Sequence, residues 1–108
     1  MRPFEIFIVY ISWGIGGKSR PVLAFLLNDD KISVYPITSQ YDDKSTAIRA
    51  RYFKINEWSQ AGLDKQSYVD TGILINLPVA VVDAKKTIGE LSAKDKHRLL
   101  EFLIKPLE

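Results

Sequence analysis

Short runs of β-branched and aromatic residues recur along this sequence, and they constrain the fold more than any other feature. Such residues favour β-strands, and polar turn residues such as Asn28-Asp29-Asp30 separate the runs. The pattern predicts strands at residues 4–11, 20–27, 31–37, 48–52, 68–76 and 79–82, and a last short strand near residues 86–88. The first run is apolar at nearly every position, which is typical of a strand buried on both faces.

The last part of the chain has the signals of a single helix. Ser92 stands at the N-cap position, and Asp95 falls in the first turn, where a carboxylate interacts favourably with the helix dipole. The predicted apolar face consists of Leu99, Leu100, Leu103 and Ile104. Pro106 is expected to end the helix, because proline cannot continue the hydrogen-bond ladder.

A chain of 108 residues can bury both faces of so many short strands only by curling the sheet. We therefore predict a mainly β fold, an SH3-like small barrel with a C-terminal α-helix, formed by residues 1–108 as one domain. A short helical turn is predicted between the strands, with Asn56 as its cap and Gly62 at its end. Trp58, inside that turn, is predicted to lie in the core.

Composition limits the kind of site that the chain can build. The sequence has no cysteine and one histidine, His97, which excludes disulfides, cysteine-based metal sites and histidine clusters. No paired acidic motif supports carboxylate-bound magnesium, so neither a metal nor another cofactor is predicted. The 15 Lys and Arg residues against 13 Asp and Glu give a net charge of +2, so any RNA site must be a focused one.

The sequence predicts a cytoplasmic protein that does not enter a membrane. Its start resembles a signal peptide in charge, but the apolar stretch contains Glu5 and no small-residue cleavage site follows. No apolar run approaches the roughly 20 residues that a membrane-spanning helix needs.

A glycine-rich stretch and the arginine after it form the first candidate for a functional site. Three glycines within four positions predict a mobile surface loop at residues 12–19. Pro21 biases the preceding Arg20 toward extended geometry, so that a strand holds the base of the side chain while the guanidinium stays free. A planar, permanently charged guanidinium suits a phosphate or a carboxylate. A surface arginine beside a hairpin loop would give the same local sequence, so both interpretations stay open at this point.

Four segments, in order along the chain, resemble a known family. They are the glycine-rich stretch continuing into Lys18-Ser19-Arg20-Pro21-Val22-Leu23, the strand end Pro36-Ile37-Thr38-Ser39, residues 58–67, and Ile88-Gly89-Glu90-Leu91-Ser92. Together they resemble the PemK/MazF family of type II toxin-antitoxin ribonucleases over almost the whole chain, and the PemK-like subgroup in particular. The resemblance implies an SH3-like barrel that forms a homodimer, holds single-stranded RNA in a groove at the dimer interface, and has an antitoxin partner.

By the same resemblance, Arg20 and Thr38 fall on the positions that the family uses for RNA cleavage. The implied reaction is attack of a ribose 2′-OH on the adjacent phosphorus, which leaves a 2′,3′-cyclic phosphate and a 5′-OH without a metal ion. Arg20 would stabilise the phosphorane charge, because an arginine with a pKa above roughly 12 is a poor base at neutral pH. Thr38 would donate its hydroxyl to the phosphate or position the 2′-OH. Without the resemblance, Thr38 is interpreted as an ordinary strand-end residue.

Further side chains are candidates for RNA contacts along such a groove. They are Lys18, Ser19, Ser39, Gln40, Lys44, Arg49, Arg51 and Trp13. Alternation within the predicted strand 48–52 places Arg49 and Arg51 on one face, either as phosphate contacts or as an ordinary solvated face. Trp13 could stack on a base, or it could anchor the core or the dimer. His97 is predicted to be a surface residue outside the site.

Two positions depart from the family pattern and keep a second hypothesis open. Where many members carry a basic and then an acidic residue, this chain has Asp70 and Gly72, and a carboxylate at the first position would repel phosphate. The alternative function is therefore a catalytically inactive family member that binds only RNA or the antitoxin. Gln66 also stands where proline is usual. A peptide-binding adaptor is disfavoured, since no acidic and aromatic peptide groove is evident.

Overall fold

The computed structural model describes residues 2–82 and 87–105 of the chain. The strands in these ranges are β1 (Glu5–Trp13), β2 (Gly16–Leu27), β3 (Lys31–Thr38), β4 (Tyr52–Lys54), β5 (Tyr68–Asp70), β6 (Ile75–Pro78) and β7 (Thr87–Glu90). The helices are α1 (Thr46–Arg49) and α2 (Ala93–Ile104), and a 3₁₀ turn covers Val79–Val81. The strands pair in the order β4-β5-β3-β2-β1-β7, with β6 on β3. The protein is mainly β with a C-terminal helix, as predicted.

The sheet curls because β3 changes partners along one edge. Its beginning pairs with β6 from Lys31 to Val34, and its end pairs with β5 at Ile37 and Thr38. β2 runs antiparallel along the other edge. A strand that meets two different neighbours on one edge bends the sheet between them. The result is a curled antiparallel half-barrel, which confirms the predicted fold class.

Apolar side chains cover both faces of this sheet. The core face carries the larger cluster: Ile6, Leu23, Tyr35, Ile37, Phe53, Ile55, Ala61, Val69, Leu91 and Leu99. The second face carries Phe7, Val22, Ala24, Ile32 and Val34. The burial on both faces predicted for residues 4–11 is therefore confirmed at Ile6 and Phe7, whereas Tyr10 is 66% exposed. Four half-buried residues, Val9, Ile75, Leu77 and Val82, pack against this second cluster.

The mobile loop predicted at residues 12–19 is wrong. β1 and β2 continue through most of this stretch and leave a two-residue turn, in which Gly14 has a φ of +48°. Gly17 lies inside β2, where a Cβ would come within 2.1 Å of the Tyr10 hydroxyl oxygen. The glycines thus permit a tight hairpin and close side-chain packing rather than a loop. As a consequence, Arg20 lies inside a paired strand and not at the edge of a loop.

Residues 48–52 do not form the predicted strand either. Helix α1 occupies the beginning of this stretch, because the Ser45 Oγ accepts a hydrogen bond of 3.3 Å from the backbone N–H of Ile48 and caps the helix. β4 begins only at Tyr52. The chain turns between Arg49 and Arg51, so these two side chains do not share the face that strand alternation predicts.

The predicted strand 68–76 is divided into β5 and β6 by a turn at residues 71–74. The Gly72 N–H donates to the Asp70 Oδ1 at 3.0 Å and stabilises this turn. Residues 79–82 are not a strand, because the chain after Pro78 forms a 3₁₀ turn instead. The short strand near residues 86–88 is present as β7, although residue 86 lies outside the described part of the chain.

Helix α2 confirms the predicted C-terminal helix. The Ser92 Oγ accepts a hydrogen bond of 3.2 Å from the backbone N–H of Asp95, as the capping signal predicts. Leu99 is fully buried, but Leu100 is 44% exposed, so the apolar face is narrower than predicted. Pro106 lies outside the described residues. Within the described ranges, no helix is long and apolar enough to cross a membrane.

The turn around Trp58 forms as predicted, but its cap comes from elsewhere. Gly62 closes the turn with a φ of +88°, and Trp58 packs, half-buried, against the core-face cluster. The predicted cap, Asn56, does not provide the acceptor. Asp95 accepts instead, at 2.8 Å from the Glu57 N–H and at 3.4 Å from the Asn56 N–H. Asp95 thereby ties this turn to α2.

Candidate functional site

A groove of about 720 Å³ opens on the second face of the sheet, beyond the apolar cluster. Its polar lining consists of Lys18, Ser19, Arg20, Thr38, Ser39, Gln40, Lys44, Tyr52, Asp64, Lys65, Ser67 and Asp70. Four cationic side chains thus face two carboxylates. Clustered positive charge in a cleft raises the local concentration of anionic ligands, so the groove favours a polyanion.

Strand register explains why Arg20 and Thr38 meet in this groove. Arg20 lies two residues before Val22 in β2, so alternation puts it on the second face. Thr38 lies two residues after Pro36 in β3 and faces the same way. Val22 and Pro36 form the last pair of the ladder between β2 and β3. If the same register is extended by two residues, Arg20 falls opposite Thr38, and both residues line the groove.

The two side chains differ in how firmly they are held. The Gln40 N–H donates to the Thr38 Oγ1 at 3.1 Å, which orients the hydroxyl and leaves its hydrogen to donate to a ligand. Ile37, which is 3% exposed, fixes the strand end directly before Thr38. Arg20 has no ion pair to another of the described residues. Its guanidinium is therefore available to hold an oxyanion.

The structure brings most of the other predicted contact residues to the same groove. Those that line it are Lys18, Ser19, Ser39, Gln40 and Lys44. Arg49 and Arg51 do not line it, and the side chain of Trp13 lies outside the described part of the chain. His97 is exposed and lies 2.5 Å from Glu101, as predicted for a surface residue.

Lys65 also lines the groove, and the sequence analysis did not select it. The signal for it was its position within residues 58–67, one of the family-like segments. Gln66, beside it, stands where proline is usual, and its Nε2 donates a hydrogen bond to the carbonyl oxygen of Ile55 at 2.8 Å.

In the described ranges, no three His, Asp or Glu residues are grouped so that they could hold a metal ion.

Asp70 does not present a free carboxylate to the groove. The Arg51 Nε donates to the Asp70 Oδ1 at 2.9 Å, and the Nη2 donates to the Oδ2 at 3.3 Å. This two-point pair offsets the repulsion of phosphate that the sequence predicts for Asp70. Gly72 leaves room for this arginine conformation, because a Cβ there would come within 2.3 Å of the Arg51 Cδ. The two departures from the family pattern are therefore coupled through Arg51.

Three tyrosines, Tyr41, Tyr52 and Tyr68, form what we call the tyrosine cluster, and the sequence analysis missed it. The rings of Tyr41 and Tyr68 stack with centroids 4.5 Å apart and planes 15° apart. The Tyr52 ring lies 6.3 Å from each of them. The Arg49 guanidinium lies 5.5 Å from the Tyr41 centroid, so its cation faces the cluster and not the groove. No local signal marks this cluster, because strand pairing brings Tyr52 near Tyr68, and Tyr41 joins them from the loop after β3.

The architecture is shared with solved toxin structures. The Mycobacterium tuberculosis toxin MazF-mt6 matches with a TM-score of 0.69 and 24% identity, over 94% of this chain and 92% of that one. The fold is that of a MazF toxin. An Mtb toxin is similar as well, with a TM-score of 0.61 and 24% identity over 78% of this chain and 88% of its own. No protein-family model matches the sequence, and no curated protein matches it.

The MazF fold is the one that the four family-like segments imply, so this expectation is confirmed. The groove lies where two of those segments meet: Arg20 belongs to the first and Thr38 to the second. Two motif matches that are distant in the sequence but adjacent at one cavity are stronger evidence for a functional site than either match alone.

Proposed function

We propose that this protein is the toxin of a type II toxin-antitoxin system, an endoribonuclease of the PemK/MazF family that cuts single-stranded mRNA at a short sequence in the cytoplasm. The observation that carries the proposal is the meeting of Arg20 and Thr38 in a basic groove of a MazF fold. In this proposal, residues 1–108 act as a single toxin domain.

The chemistry follows from what the two side chains offer. The 2′-oxygen of a ribose attacks the adjacent phosphorus, the bond from phosphorus to the 5′-oxygen breaks, and a 2′,3′-cyclic phosphate and a 5′-OH result. The 2′-OH proton passes to water, and the departing 5′-oxygen takes a proton from water. Arg20 holds two phosphoryl oxygens through its fork, a type of interaction that contributes on the order of 3 kcal/mol in the transition state. Thr38 donates its hydroxyl hydrogen to the same phosphate.

The groove also supports the proposed partners. Lys18, Lys44 and Lys65 are spread along it, so a strand of RNA can meet a cation at more than one phosphate. A homodimer and an acidic antitoxin segment that competes with RNA for the groove follow from the family resemblance and the MazF fold. In this proposal the reaction uses no metal ion and no other cofactor.

A catalytically inactive RNA- or antitoxin-binding protein is the second candidate, because Asp70 puts a carboxylate in the lining of the groove. The ion pair between Asp70 and Arg51 favours the active enzyme, because the arginine neutralises the carboxylate and so reduces its repulsion of a phosphate.

The test is incubation of the purified protein with mixed-sequence single-stranded RNA in EDTA, followed by analysis of the fragment ends. We expect cyclic-phosphate and 5′-OH ends from the parent protein and at least a hundredfold less product from Arg20→Ala. Arg20→Lys keeps the charge but loses the fork, so its activity should lie between the two. Lys94→Ala, on the exposed side of α2, is the matched control and should cut at the parent rate.

Each alternative outcome has a clear meaning. RNA that stays intact but is bound by the parent protein would favour the inactive binding protein. Cleavage that disappears in EDTA, or that Arg20→Ala retains in full, would contradict the proposed chemistry. In cells, expression of an active toxin from a tight promoter should stop growth, whereas expression of Arg20→Ala should not.

A further inference from the structure

We propose that the tyrosine cluster is a base-stacking platform of the groove, on which a nucleobase of single-stranded RNA stacks against Tyr52. This inference rests on the proposed function and adds a subsite to it. Four sets of observations carry it: the strand register, the packing of the rings, the position of Tyr52 in the groove lining, and the charges around the cluster.

The register of β3, β4 and β5 places the cluster next to Thr38. Tyr68 is the direct cross-strand partner of Thr38, and Tyr52 is the direct partner of Asp70. Directly opposed residues in antiparallel strands have Cα atoms about 4.5–5.5 Å apart. The intervening Val69 and Phe53 are buried in the core-face cluster, so alternation turns both tyrosines toward the side of the groove. The cluster therefore begins at Tyr68, directly beside Thr38 of the proposed catalytic pair.

The packing within the cluster leaves one ring for a ligand. Tyr41 and Tyr68 stack on each other, so each covers a face of the other. Tyr52 is tilted by 46° and 32° to these rings, and it alone of the three lines the groove. A ring that its neighbours already hold in place loses little conformational entropy when a ligand binds. Tyr52 is thus a preordered aromatic surface at the groove.

The charges near the cluster match a nucleotide. The Arg49 guanidinium lies over the Tyr41 ring, and Lys44 lines the groove together with Tyr52, so one cation contacts the cluster and another lies in the groove. A nucleotide offers a flat base for the ring and a phosphate for the cations. Stacking on an aromatic side chain depends little on which base is present, so the platform should contribute affinity more than sequence choice.

Binding of two strands with the same backbone charge tests the platform. The first is a 12-nucleotide mixed-sequence RNA with 2′-O-methyl groups, which block the attacking oxygen, and the second is an abasic strand of the same length. We expect the parent protein to bind the base-bearing strand about tenfold or more tightly than the abasic one. Tyr52→Leu should lose most of this preference and keep its affinity for the abasic strand. Tyr52→Phe should retain the preference.

A charge variant provides the matched comparison. Lys44→Gln should weaken binding of both strands by the same factor, because it removes a phosphate contact and leaves the rings in place. A Tyr52→Leu variant that discriminates as well as the parent would overturn the platform. So would a parent protein that cuts RNA but binds both strands equally, and this result would leave the proposed function intact. A parent that neither cuts RNA nor binds either strand would overturn both proposals.

A second measurement needs no variant and so does not depend on the folding of Tyr52→Leu. RNA containing 5-iodouridine crosslinks to an aromatic ring on which the base stacks when it is irradiated. Mass spectrometry of the parent protein should place a crosslink on Tyr52. Its neighbour Phe53 is only 2% exposed, so we do not expect a crosslink there. Crosslinks confined to other segments would contradict the inference.

Discussion

Two ion pairs, each between a buried aspartate and a half-exposed arginine, lie in different regions of the molecule. In one, Asp70 is 8% exposed and its partner Arg51 is 40% exposed; in the other, Asp95 is 1% exposed and Arg98 is 40% exposed. Asp95 joins the turn around Trp58 to α2, away from the groove, whereas Asp70 lines the groove. Burial and pairing alone therefore do not mark a functional carboxylate. The surroundings of the pair decide its role.

The backbone partners of the two carboxylates differ as much as their locations. Asp95 accepts from the N–H groups of Asn56 and Glu57, which are 39 and 38 residues away in the sequence. Asp70 accepts from the N–H of Gly72, two residues away. Loss of the Asp95 carboxylate breaks the hydrogen bonds between two distant segments, whereas loss of the Asp70 carboxylate affects a local turn. The comparison thus predicts a large stability effect at one site and an effect on RNA at the other.

The largest expected effect is the loss of stability in Asp95→Asn. This change removes the buried charge that Arg98 pairs with and leaves the backbone N–H of Asn56 or of Glu57 without a good acceptor, which should cost about 3 kcal/mol of unfolding free energy. Urea denaturation measures it. Asp70→Asn, made in parallel, should cost about 1 kcal/mol, because its remaining contacts are local and partly solvated. Equal losses at the two sites would contradict the distinction between them.

The same two pairs show what the sequence could predict. Ser92 and Asp95 form a local capping signal, so the start of α2 was predictable, and the family-like segments located Arg20 and Thr38. The bond from Asp95 to Glu57 and the pair of Arg51 with Asp70 were not predictable, because both join segments that only the folded sheet brings together. Their existence is a property of the tertiary structure.

Two errors in the sequence analysis have local causes. Alternation suggested a strand at residues 48–52, but the cap at Ser45 starts a helical turn just before it, and a capped turn outweighs a short alternating pattern. Glycines suggested a loop at residues 12–19, but in a paired hairpin they serve the turn at Gly14 and the close approach of Tyr10 to Gly17. The helix cap determined the structure in the first case, and the pairing of β1 with β2 determined it in the second.

The second-largest expected effect is a loss of RNA cleavage in Arg51→Ala. Arg51→Ala leaves the Asp70 carboxylate in the groove without its cation, and we expect cleavage of single-stranded RNA to fall about tenfold through weaker binding. The double variant Arg51→Ala/Asp70→Asn should recover most of this loss, since it removes the exposed charge. Rates at several RNA concentrations separate binding from chemistry.

Arg98→Ala is the matched control for that experiment. It breaks the other aspartate–arginine pair, so it should lower stability but leave RNA cleavage unchanged at a temperature where the protein is folded. A double variant no better than Arg51→Ala would mean that Arg51 contacts RNA itself and does not act by neutralising Asp70.

A smaller effect is expected from Gly72→Ala. The added Cβ would lie 2.3 Å from the Arg51 Cδ and 2.6 Å from its Nε, so the arginine must move away from Asp70. A flexible side chain can move at low cost, and we expect a stability change within about 1 kcal/mol. RNA cleavage should fall a few-fold, less than in Arg51→Ala. In the background of Asp70→Asn, Gly72→Ala should have no effect on cleavage, and a persistent effect there would contradict the coupling.

The smallest effect comes from a third carboxylate, Glu90, which pairs with Arg2 and Lys96 and is 26% exposed, against 8% for Asp70 and 1% for Asp95. The hydrogen bond from Lys96 lowers the pKa of Glu90, and the charges of Lys96 and Arg2 add to this against a partial desolvation. Because the pKa is lower in the folded state, the stabilisation is complete above about pH 4.5 and disappears as the pH falls through the folded-state pKa.

Glu90→Gln should therefore cost about 1 kcal/mol or less at pH 7, which is the usual size for an accessible ion pair. The melting temperatures of the parent and the variant should converge as the pH falls through the folded-state pKa of Glu90, because the parent then loses this charge. High salt at pH 7 should narrow the difference as well, since exposed charges are screened. If the difference does not shrink on acidification from pH 7, then Glu90 stabilises β7 and α2 by packing rather than by charge. The contrast with Asp95, which is 1% exposed and accepts from two backbone N–H groups, would then rest on burial and on those hydrogen bonds.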